Sequence, residues 1–461
     1  MLDDHEVKVM PPAPRLAKIL GPSFILLGLG LGSGEIILWP YLTSNFGMGI
    51  IWGAVLGITL QFFINMEIER YSLVKGESIF VGFARKFRGL PYWFILSTFF
   101  AWIWPGIIAA SAKLLGSLVG IADTRYIAIL LLLAIGAILT LGPILYKTVE
   151  KIAMFLIVFG VPGIFILTLF LAEKTDWAAL AGGLVGRGEG YFLLPAGIPI
   201  ASFLAAFAFS GAGGNLNLAQ SFYIKEKGYG MGKFSGRITS ILTGKVESIK
   251  LEGARFEMNK ENLNKFKDWW KVVNLEHLLI FWATGAFTIC LLGLLAYSTA
   301  FGATTPAAGI NFVLYEAAAI AQKTLPIFGT LFLLIGGVML FSTQMTVLDA
   351  TSRIMSENLL ILKRRSWEAK SLPKIYYSFL WAQIAFGIVI FLLGFGEPLL
   401  LLTLAAVINA GAMFVHIALT LILNLTKLEK EVRPSLIRIS MMVFSLLFFG
   451  YFTLRTIINI L

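Results

Sequence analysis

Long apolar runs alternate with short polar segments along almost the whole chain. Each run reaches about 20 residues or more, enough for a helix to cross the roughly 30 Å hydrocarbon core of a bilayer. We therefore predict an all-α, polytopic membrane protein with eleven spans. Numbered in chain order, the spans cover residues 17–45, 49–71, 92–119, 126–146, 148–172, 197–224, 273–299, 325–356, 375–394, 398–423 and 435–458.

Composition supports the same class of protein. Of 461 residues, 58% are hydrophobic and only 14% are charged, whereas a soluble domain carries about 25% charged residues. The single cysteine, Cys290, excludes a disulfide framework or a cysteine-based metal site. Residues 1–15 are polar and the first apolar run has no cleavage site, so span 1 itself is expected to start insertion into the lipid bilayer.

The basic residues predict the orientation, because Lys and Arg collect in cytoplasmic loops. With the N-terminus inside and the C-terminus outside, all but six of the 37 Lys and Arg residues fall on the cytoplasmic side. This distribution explains the net charge of +11 without a nucleic-acid partner. Loop 225–271 is then cytoplasmic, with a candidate hairpin at 237–251, and 305–323 is an outer, helix-compatible segment. We expect a monomer in the cell membrane.

Span 1 contains a feature that a simple membrane anchor would lack. Glycines occupy every second position from Gly28 to Gly34, and the carboxylate of Glu35 follows directly. Each glycine weakens a helix by about 1 kcal/mol, and a charge in the hydrocarbon layer costs roughly 2.5–3.5 kcal/mol. A helix broken at this point would expose backbone groups and one charge to a bound solute. The candidate substrate-binding residues are Gly32, Ser33, Gly34 and Glu35.

Span 6 repeats this interruption and enters the membrane from the opposite side. The segment from Phe209 to Asn215 is rich in small, flexible residues. Two broken spans that are five apart indicate two inverted repeats of five helices, 17–172 and 197–423, followed by span 11. The alternative is that these glycines only allow close helix packing. The candidate substrate-binding residues here are Phe209, Ala212, Gly213, Gly214 and Asn215.

Other polar residues within the spans have open roles. Glu35 is a cation ligand, a proton carrier or half of a structural ion pair. Lys113 either pairs with Glu35 or extends to the outer surface, which we favour. Asp349 and Arg353 are four residues apart and should form a gate or structural pair. Two further groups are candidates for coupling or gating. The hydroxyls of Ser342 and Thr343 in span 8 could form a sodium site, and the amides of Asn217 and Gln220 lie beside the break in span 6.

Six short segments resemble the Nramp (natural resistance-associated macrophage protein) family of divalent-metal transporters. They keep the family's order and spacing through spans 1–8, and the resemblance implies a LeuT-like fold of two inverted five-helix repeats. The segments are Gly21-Pro-Ser-Phe, resembling GPGF; Leu73-Val-Lys-Gly76, resembling IVTG; Ile107-Ile-Ala109, resembling AIIA; the stretch beginning at Trp177; Asn215-Leu-Asn-Leu; and Phe341 to Leu359, resembling SSTxTGTLAGQIVMEGFL.

The same alignment places different residues at the family's metal-binding positions. The DPGN motif of span 1 corresponds to Gly32–Glu35, so Gly32 replaces the liganding Asp and Glu35 the liganding Asn. In span 6, Ala212 replaces the Met and Gly214 the His. Because thioether and imidazole ligands favour transition metals, we do not transfer the family's metal ligands, and the metal site stays unknown.

Gly32-Ser-Gly followed by Pro40 also resembles span 1 of the amino acid–polyamine–organocation transporters, which share this fold and bind a carboxylate with glycine N–H groups. No nucleophile, phosphate-loop or cofactor motif indicates an enzyme. The sequence therefore predicts a secondary active transporter of a small, cationic solute, either a metal ion or an amine, coupled to an ion gradient. The alternatives are an amino-acid transporter, a non-transporting sensor on this scaffold and a passive channel.

Overall fold

The computed structural model describes residues 5–14, 21–30, 32–142, 145–235, 250–302, 309–364 and 366–460. Within these ranges the chain is almost entirely helical. The helices of the first half are α1 (Pro22–Gly30), α2 (Trp39–Phe46), α3 (Trp52–Lys75), α4 (Ile79–Lys86), α5 (Leu90–Trp102), α6 (Gly106–Leu118), α7 (Arg125–Leu141), α8 (Leu145–Leu171) and α9 (Lys174–Gly183). A π-helical turn, Ser33–Leu38, connects α1 to α2.

The second half continues in the same way. Its helices are α10 (Ile200–Ala208), α11 (Gln220–Lys227), α12 (Lys260–His277), α13 (Thr284–Ala300), α14 (Asn311–Lys323), α15 (Pro326–Leu362), α16 (Leu372–Leu392), α17 (Pro398–Lys427) and α18 (Leu436–Ile460). A 3₁₀ segment, Gly214–Ala219, leads into α11, and a π segment, Leu278–Ala283, joins α12 to α13. Further 3₁₀ turns cover Met48–Ile50, Gly230–Phe234, Ala369–Ser371 and Lys430–Val432.

Local sequence explains where several helices begin. Proline stands in the first turn of α5, α15, α16 and α17, where its missing N–H leaves no hydrogen bond unmade. The side chain of Asn259 accepts a hydrogen bond from the backbone of Asn262 at 2.9 Å and caps α12. Glu397 does the same for α17, accepting from the Leu400 N–H at 2.6 Å.

Among the described residues, nine helical stretches are long and apolar enough to cross a membrane. The predicted spans 4 and 6 complete the set of eleven, since α7 is a shorter apolar helix and span 6 is divided between α10 and α11. Many large apolar side chains on the outside of the bundle are exposed, including Phe159, Phe170 and Leu447. These side chains form the lipid-facing surface of a multi-pass membrane protein.

Two details of the helices were not predicted. Residues 260–271 belong to the loop that we predict to be cytoplasmic, but they are helical, because α12 begins at Lys260 and continues without a break into span 7. The predicted span 3 corresponds to Leu90–Leu118, but it is interrupted, since α5 ends at Trp102 and α6 begins only at Gly106. Pro105 explains this interruption because it disfavours helical geometry in the residue before it. The predicted hairpin at 237–251 lies mostly outside the described residues.

A short sheet connects the beginning of the chain to the loop after span 6. Strand β1 (Glu6–Val7) pairs in parallel with strand β2 (Ala254–Arg255), with Glu6 opposite Ala254 and Val7 opposite Arg255. The Lys8 N–H extends the pairing by donating to the Arg255 carbonyl at 2.8 Å. The N-terminal tail is therefore attached to the end of the bundle from which α1 enters.

Candidate functional site

The breaks in spans 1 and 6 are both present, as predicted, and they contact each other. A Cβ atom placed on Gly30 would lie 2.9 Å from the Gly211 Cα atom, and one on Gly34 would lie 1.7 Å from the Phe209 carbonyl oxygen. Real Cβ contacts stay beyond about 3 Å. Glycine is therefore required at these positions because the two interrupted helices meet backbone to backbone.

Hydrogen bonds from neighbouring helices hold the break in span 6. Gly213 and Gly214 have φ angles of +71° and +56°, a left-handed geometry that favours glycine. Gln61 of α3 donates to the Ala208 carbonyl at 2.9 Å and accepts from the Gly213 N–H at 3.1 Å. The Nε2 atom of His416 lies 2.9 Å from the Gly214 carbonyl oxygen. These two polar side chains satisfy backbone groups that the interrupted helix leaves free.

Glu35 lies in the π-helical turn directly after the break. Its side chain is completely buried, and neither carboxylate oxygen has a hydrogen-bond partner. The carboxylate faces the side of the bundle where Gly285 of α13 meets Ile58 of α3, with its Oε1 atom 3.6 Å from the Cβ position of Gly285. Glu35 is therefore an isolated acidic group inside an otherwise apolar contact between helices.

Lys113 does not pair with Glu35. It is partly exposed and lines a cavity of about 790 Å³ on the opposite end of the bundle from the N-terminal tail, together with Asp123, Arg125 and Glu397. This position agrees with the alternative that we favoured, in which Lys113 extends towards the outer surface. Glu35 consequently has no cation from α6 to balance its charge.

The interruption of span 3, which the sequence analysis missed, also faces these two breaks. The indole of Trp102 stacks on the ring of Phe209, with centroids 5.3 Å apart and an interplanar angle of 20°. The indole N–H groups of Trp102 and Trp104 are buried and have no hydrogen-bond partner. An aromatic ring of span 3 therefore packs against the break in span 6, and two buried indole N–H donors lie in the interrupted part of span 3. In the sequence, the Trp104-Pro105 dipeptide was the signal that could have predicted this interruption.

The amide side chains beside the break in span 6 differ in their contacts. Asn215 donates from Nδ2 to the hydroxyls of Ser97 at 2.8 Å and Thr98 at 2.9 Å, while its carbonyl oxygen has no partner. Neither amide atom of Asn217 has a partner. Gln220 donates to a carboxylate of α3 at 3.4 Å. The predicted role of such a carbonyl as a substrate contact stays a prediction.

Span 8 contacts the break of span 1 through its hydroxyl side chain. The Thr343 hydroxyl donates to the Gly28 carbonyl at 3.0 Å and to the Met339 carbonyl of its own helix at 3.1 Å. A Cβ atom on Gly32 would lie 2.4 Å from the Thr343 oxygen, so α15 packs directly against the break. Ser342 is buried beside it. Their predicted role at a sodium site is untested.

The predicted ion pair between Asp349 and Arg353 is present, with Arg353 Nε 2.9 Å from both carboxylate oxygens. Two further partners were not foreseen: Arg353 also contacts the carboxylate of Glu226 in α11, and the Tyr376 hydroxyl donates to Asp349 at 2.8 Å. All four groups are buried. These groups connect α11 to α15 and α16 and do not contact Glu35. This arrangement fits the prediction that Asp349 and Arg353 form a gate or a structural pair.

The remaining candidate residues offer few ligands for a metal ion. Within the described ranges, no group of three or more His, Cys, Asp or Glu side chains could hold one. Ser33 and Ala212 are buried beside the breaks, and Gly32 and Gly214 carry no side chain. Glu35 is therefore the one acidic side chain that the two broken segments supply.

Comparison with solved structures shows the fold. The chain is similar to a manganese transporter of Eremococcus coleocola, in a single-residue variant, with a TM-score of 0.71 and 14% identity over 99% of this chain and 90% of that one. The same transporter with a bound aromatic bis-isothiourea compound has a TM-score of 0.69 and 15% identity, over 99% of this chain and 90% of that one. MhsT in complex with L-phenylalanine has a TM-score of 0.50 and 14% identity, over 99% of each chain.

No protein-family model matches the sequence, and no curated protein matches it significantly. At these low identities the structural similarity establishes the fold alone. The chain has the LeuT-like transporter fold, with two inverted five-helix repeats and broken helices 1 and 6, in the variant adopted by the manganese transporter.

Proposed function

We propose that this protein is a secondary active transporter that moves a small cationic solute across the membrane by alternating access. The observation that carries the proposal is the Glu35 carboxylate, which is fully buried and unpartnered beside two touching helix breaks. An isolated charge in such surroundings is very costly, so a buried carboxylate takes up a proton or a cation instead. Glu35 is therefore suited to bind a cation, a coupling proton or each in turn.

Between the two cation classes expected from the sequence, the surroundings of Glu35 favour an organic amine. Among the described residues, no group of three or more His, Cys, Asp or Glu side chains could hold a divalent metal. The rings of Trp102 and Phe209 stack on each other at the break in span 6, and aromatic faces attract organic cations. Unpartnered carbonyl oxygens such as that of Asn215 can accept hydrogen bonds from an ammonium group.

Uptake by proteoliposomes tests this proposal. Purified protein is reconstituted into proteoliposomes with an inward proton or sodium gradient. Uptake of a primary amine, of Mn²⁺, of Mg²⁺ and of an amino acid is then measured separately. We expect uptake of the amine, and Glu35→Gln should reduce it by a factor of about 10–150, because hydrogen bonds to a charged group contribute about 1.5–3 kcal/mol.

Glu316→Gln is a matched control. Glu316 is also a buried carboxylate with an unpartnered oxygen, but it lies in α14, outside the membrane spans. Uptake of the amine by Glu316→Gln should stay within about twofold of wild-type uptake. Uptake of the amino acid alone would support the alternative substrate, and folded protein that takes up none of the four would support the sensor. Equal uptake by wild type and Glu35→Gln at every pH would remove Glu35 from the mechanism.

We further propose the orientation that the basic residues indicate, with the N-terminus in the cytoplasm, the C-terminus outside and a monomer in the cell membrane. The asymmetry of Lys and Arg supports this orientation. Labelling with a membrane-impermeant maleimide tests it: a cysteine introduced at Gly396 should react in intact cells, and one introduced at Lys267 should react only after lysis.

A further inference from the structure

A cavity opens at the end of the bundle opposite the N-terminal tail, the end that the proposed orientation places outside. Its volume of about 790 Å³ lies within the range of small-molecule sites, roughly 300–1,000 Å³. Residues of α6, α10, α17 and the loops beside them form its wall. None of the described residues in this wall belongs to either break. The cavity is therefore a compartment distinct from the contact between the breaks.

Two helices lead from this cavity to the break in span 6. Ser202 of α10 lies in the wall, and α10 ends six residues later at Ala208, where the break begins. Thr403 of α17 also lies in the wall. Six residues further along, the side chain of Asn409 packs on Gly214, where a Cβ atom would lie 1.7 Å from the amide oxygen. Each stretch of six residues covers about 9 Å. A solute that approaches the break from this side would therefore pass through the cavity.

Four charged side chains of the described residues face the cavity, and three of them are compensated. Asp123 and Arg125 form an ion pair, with the Arg125 Nη2 atom 2.6 Å from a carboxylate oxygen. Glu397 accepts a hydrogen bond from the Leu400 N–H at 2.6 Å. This carboxylate stands at the N-terminus of α17, where the helix dipole stabilises a negative charge. These three groups therefore contribute little net potential to the cavity.

Lys113 is the fourth charged side chain, and it is not compensated in this way. It lies on α6, is half-buried, and makes no hydrogen bond or ion pair with a described residue. Protein walls of low dielectric constant focus the field of a charge into a cleft. The ammonium group of Lys113 therefore gives the cavity a positive potential.

We propose that Lys113 is a specificity-determining residue that excludes solutes with two or more positive charges from the path to the breaks. This inference rests on the proposed transport function and narrows its substrate to solutes with at most one net positive charge. Two like charges 4 Å apart repel each other enough to lower occupancy about fivefold even in bulk water. A dication is then disfavoured about 25-fold. Lys113 thus weakens the entry of every cation, but that of a metal ion or a diamine most.

Charged thiol reagents measure this potential without requiring transport. The reporter is full-length protein with Ser202→Cys in the cavity wall and Cys290→Ala, which removes the single native thiol. In nanodiscs of neutral lipid, its rate of modification by anionic 2-sulfonatoethyl methanethiosulfonate is divided by its rate with the cationic 2-(trimethylammonium)ethyl reagent. A change in the reactivity of the thiol itself cancels in this ratio.

We expect the ratio for the reporter to exceed that of a free thiol in solution by at least about fivefold at low salt. It should approach the free-thiol ratio in about 1 M salt, where the Debye length is about 3 Å. Lys113→Gln should lower the low-salt ratio by at least about fivefold. Lys113→Arg keeps the charge and should stay within about twofold of the reporter.

Lys323→Gln is the matched control. Lys323 ends α14, whose first residue lies in the cavity wall, but Lys323 itself is not part of that wall. Its ammonium group donates to the Ser298 carbonyl at 2.9 Å. The labelling ratio of this variant should differ from that of the reporter by less than about twofold.

Uptake by proteoliposomes then tests the consequence for transport. Initial rates at subsaturating concentration are compared for a primary monoamine and for the α,ω-diamine with the same carbon chain, which carries one more positive charge. Lys113→Gln should raise the rate for the diamine about fivefold more than the rate for the monoamine. Lys323→Gln should leave the ratio of the two rates unchanged.

A labelling ratio that is the same with Lys113 and with Lys113→Gln would overturn the proposal, as would equal gains in uptake for the monoamine and the diamine. If labelling responds as expected but no amine is taken up, the proposed function fails and the positive potential of the cavity stands. If uptake depends on Glu35 but labelling does not respond, the proposed function stands and the role of Lys113 fails.

Discussion

Gly34→Ala is the sharpest single perturbation that the structure offers. The added methyl carbon would lie 1.7 Å from the Phe209 carbonyl oxygen and 3.1 Å from the Phe209 Cβ atom. Contact distances begin near 3 Å, so the two broken helices would have to separate by more than about 1 Å. Overpacking of this kind costs about 1–3 kcal/mol, and the nearest atom is a backbone carbonyl oxygen, which cannot rotate away as the end of a flexible side chain could. We expect lower thermal stability and loss of uptake.

Gly163→Ala in α8 is the matched control because nothing lies within 4 Å of its Cβ position. Alanine should be neutral or stabilising at this half-buried helical site, by up to about 1 kcal/mol. Uptake and the midpoint of thermal unfolding in detergent are measured for both variants. If Gly34→Ala transports and unfolds like Gly163→Ala, the direct backbone contact between the two breaks does not exist in the membrane.

Two further predictions concern charged groups. Arg353→Ala leaves two buried carboxylates without this cation and should cost about 3–5 kcal/mol of stability. Arg125→Ala removes only an exposed ion pair and should change thermal stability little, so equal losses in thermal unfolding would contradict this prediction. Burial raises the pKa of Glu77, but His5 and a nearby arginine outweigh it and hold this pKa below its ordinary value of 4.5. Glu77 therefore adds stability above that value, and this stability is lost as the pH falls through the folded-state pKa. In His5→Ala the acid-induced loss of thermal stability should begin at higher pH, and an unchanged onset would refute the pairing.

The two breaks in spans 1 and 6 could be predicted because their causes are local. Alternating glycines from Gly28 to Gly34 and the cluster around Gly213 weaken a helix wherever they occur. The break in span 3 has an equally local cause in Pro105, but a single proline within an apolar run is often tolerated in membrane helices. Its effect here became visible only with the helices that surround it.

The partners of buried polar groups could not be derived in the same way. Gln61 is a single amide within an apolar run of the sequence, yet it satisfies two backbone groups of the break in span 6. Three carboxylates lie near the ends of predicted spans: Glu226, Glu69 and Glu276. A charge at such a position costs little free energy if water reaches it. Only the packing of α11, α12 and α3 shows that these carboxylates are buried.

The attachment of the N-terminal tail also has a consequence for biosynthesis. Val7 is made 248 residues before Arg255, its partner in the sheet. At about 5–20 residues per second, the tail waits roughly 12–50 s for that strand to emerge. During this interval α1 is already being inserted with nothing to hold its beginning, because Glu276, whose carboxylate accepts hydrogen bonds from the Gly21 and Ser23 N–H groups, is made later still. Strand β1 can therefore reach its final position only after Arg255 has been made.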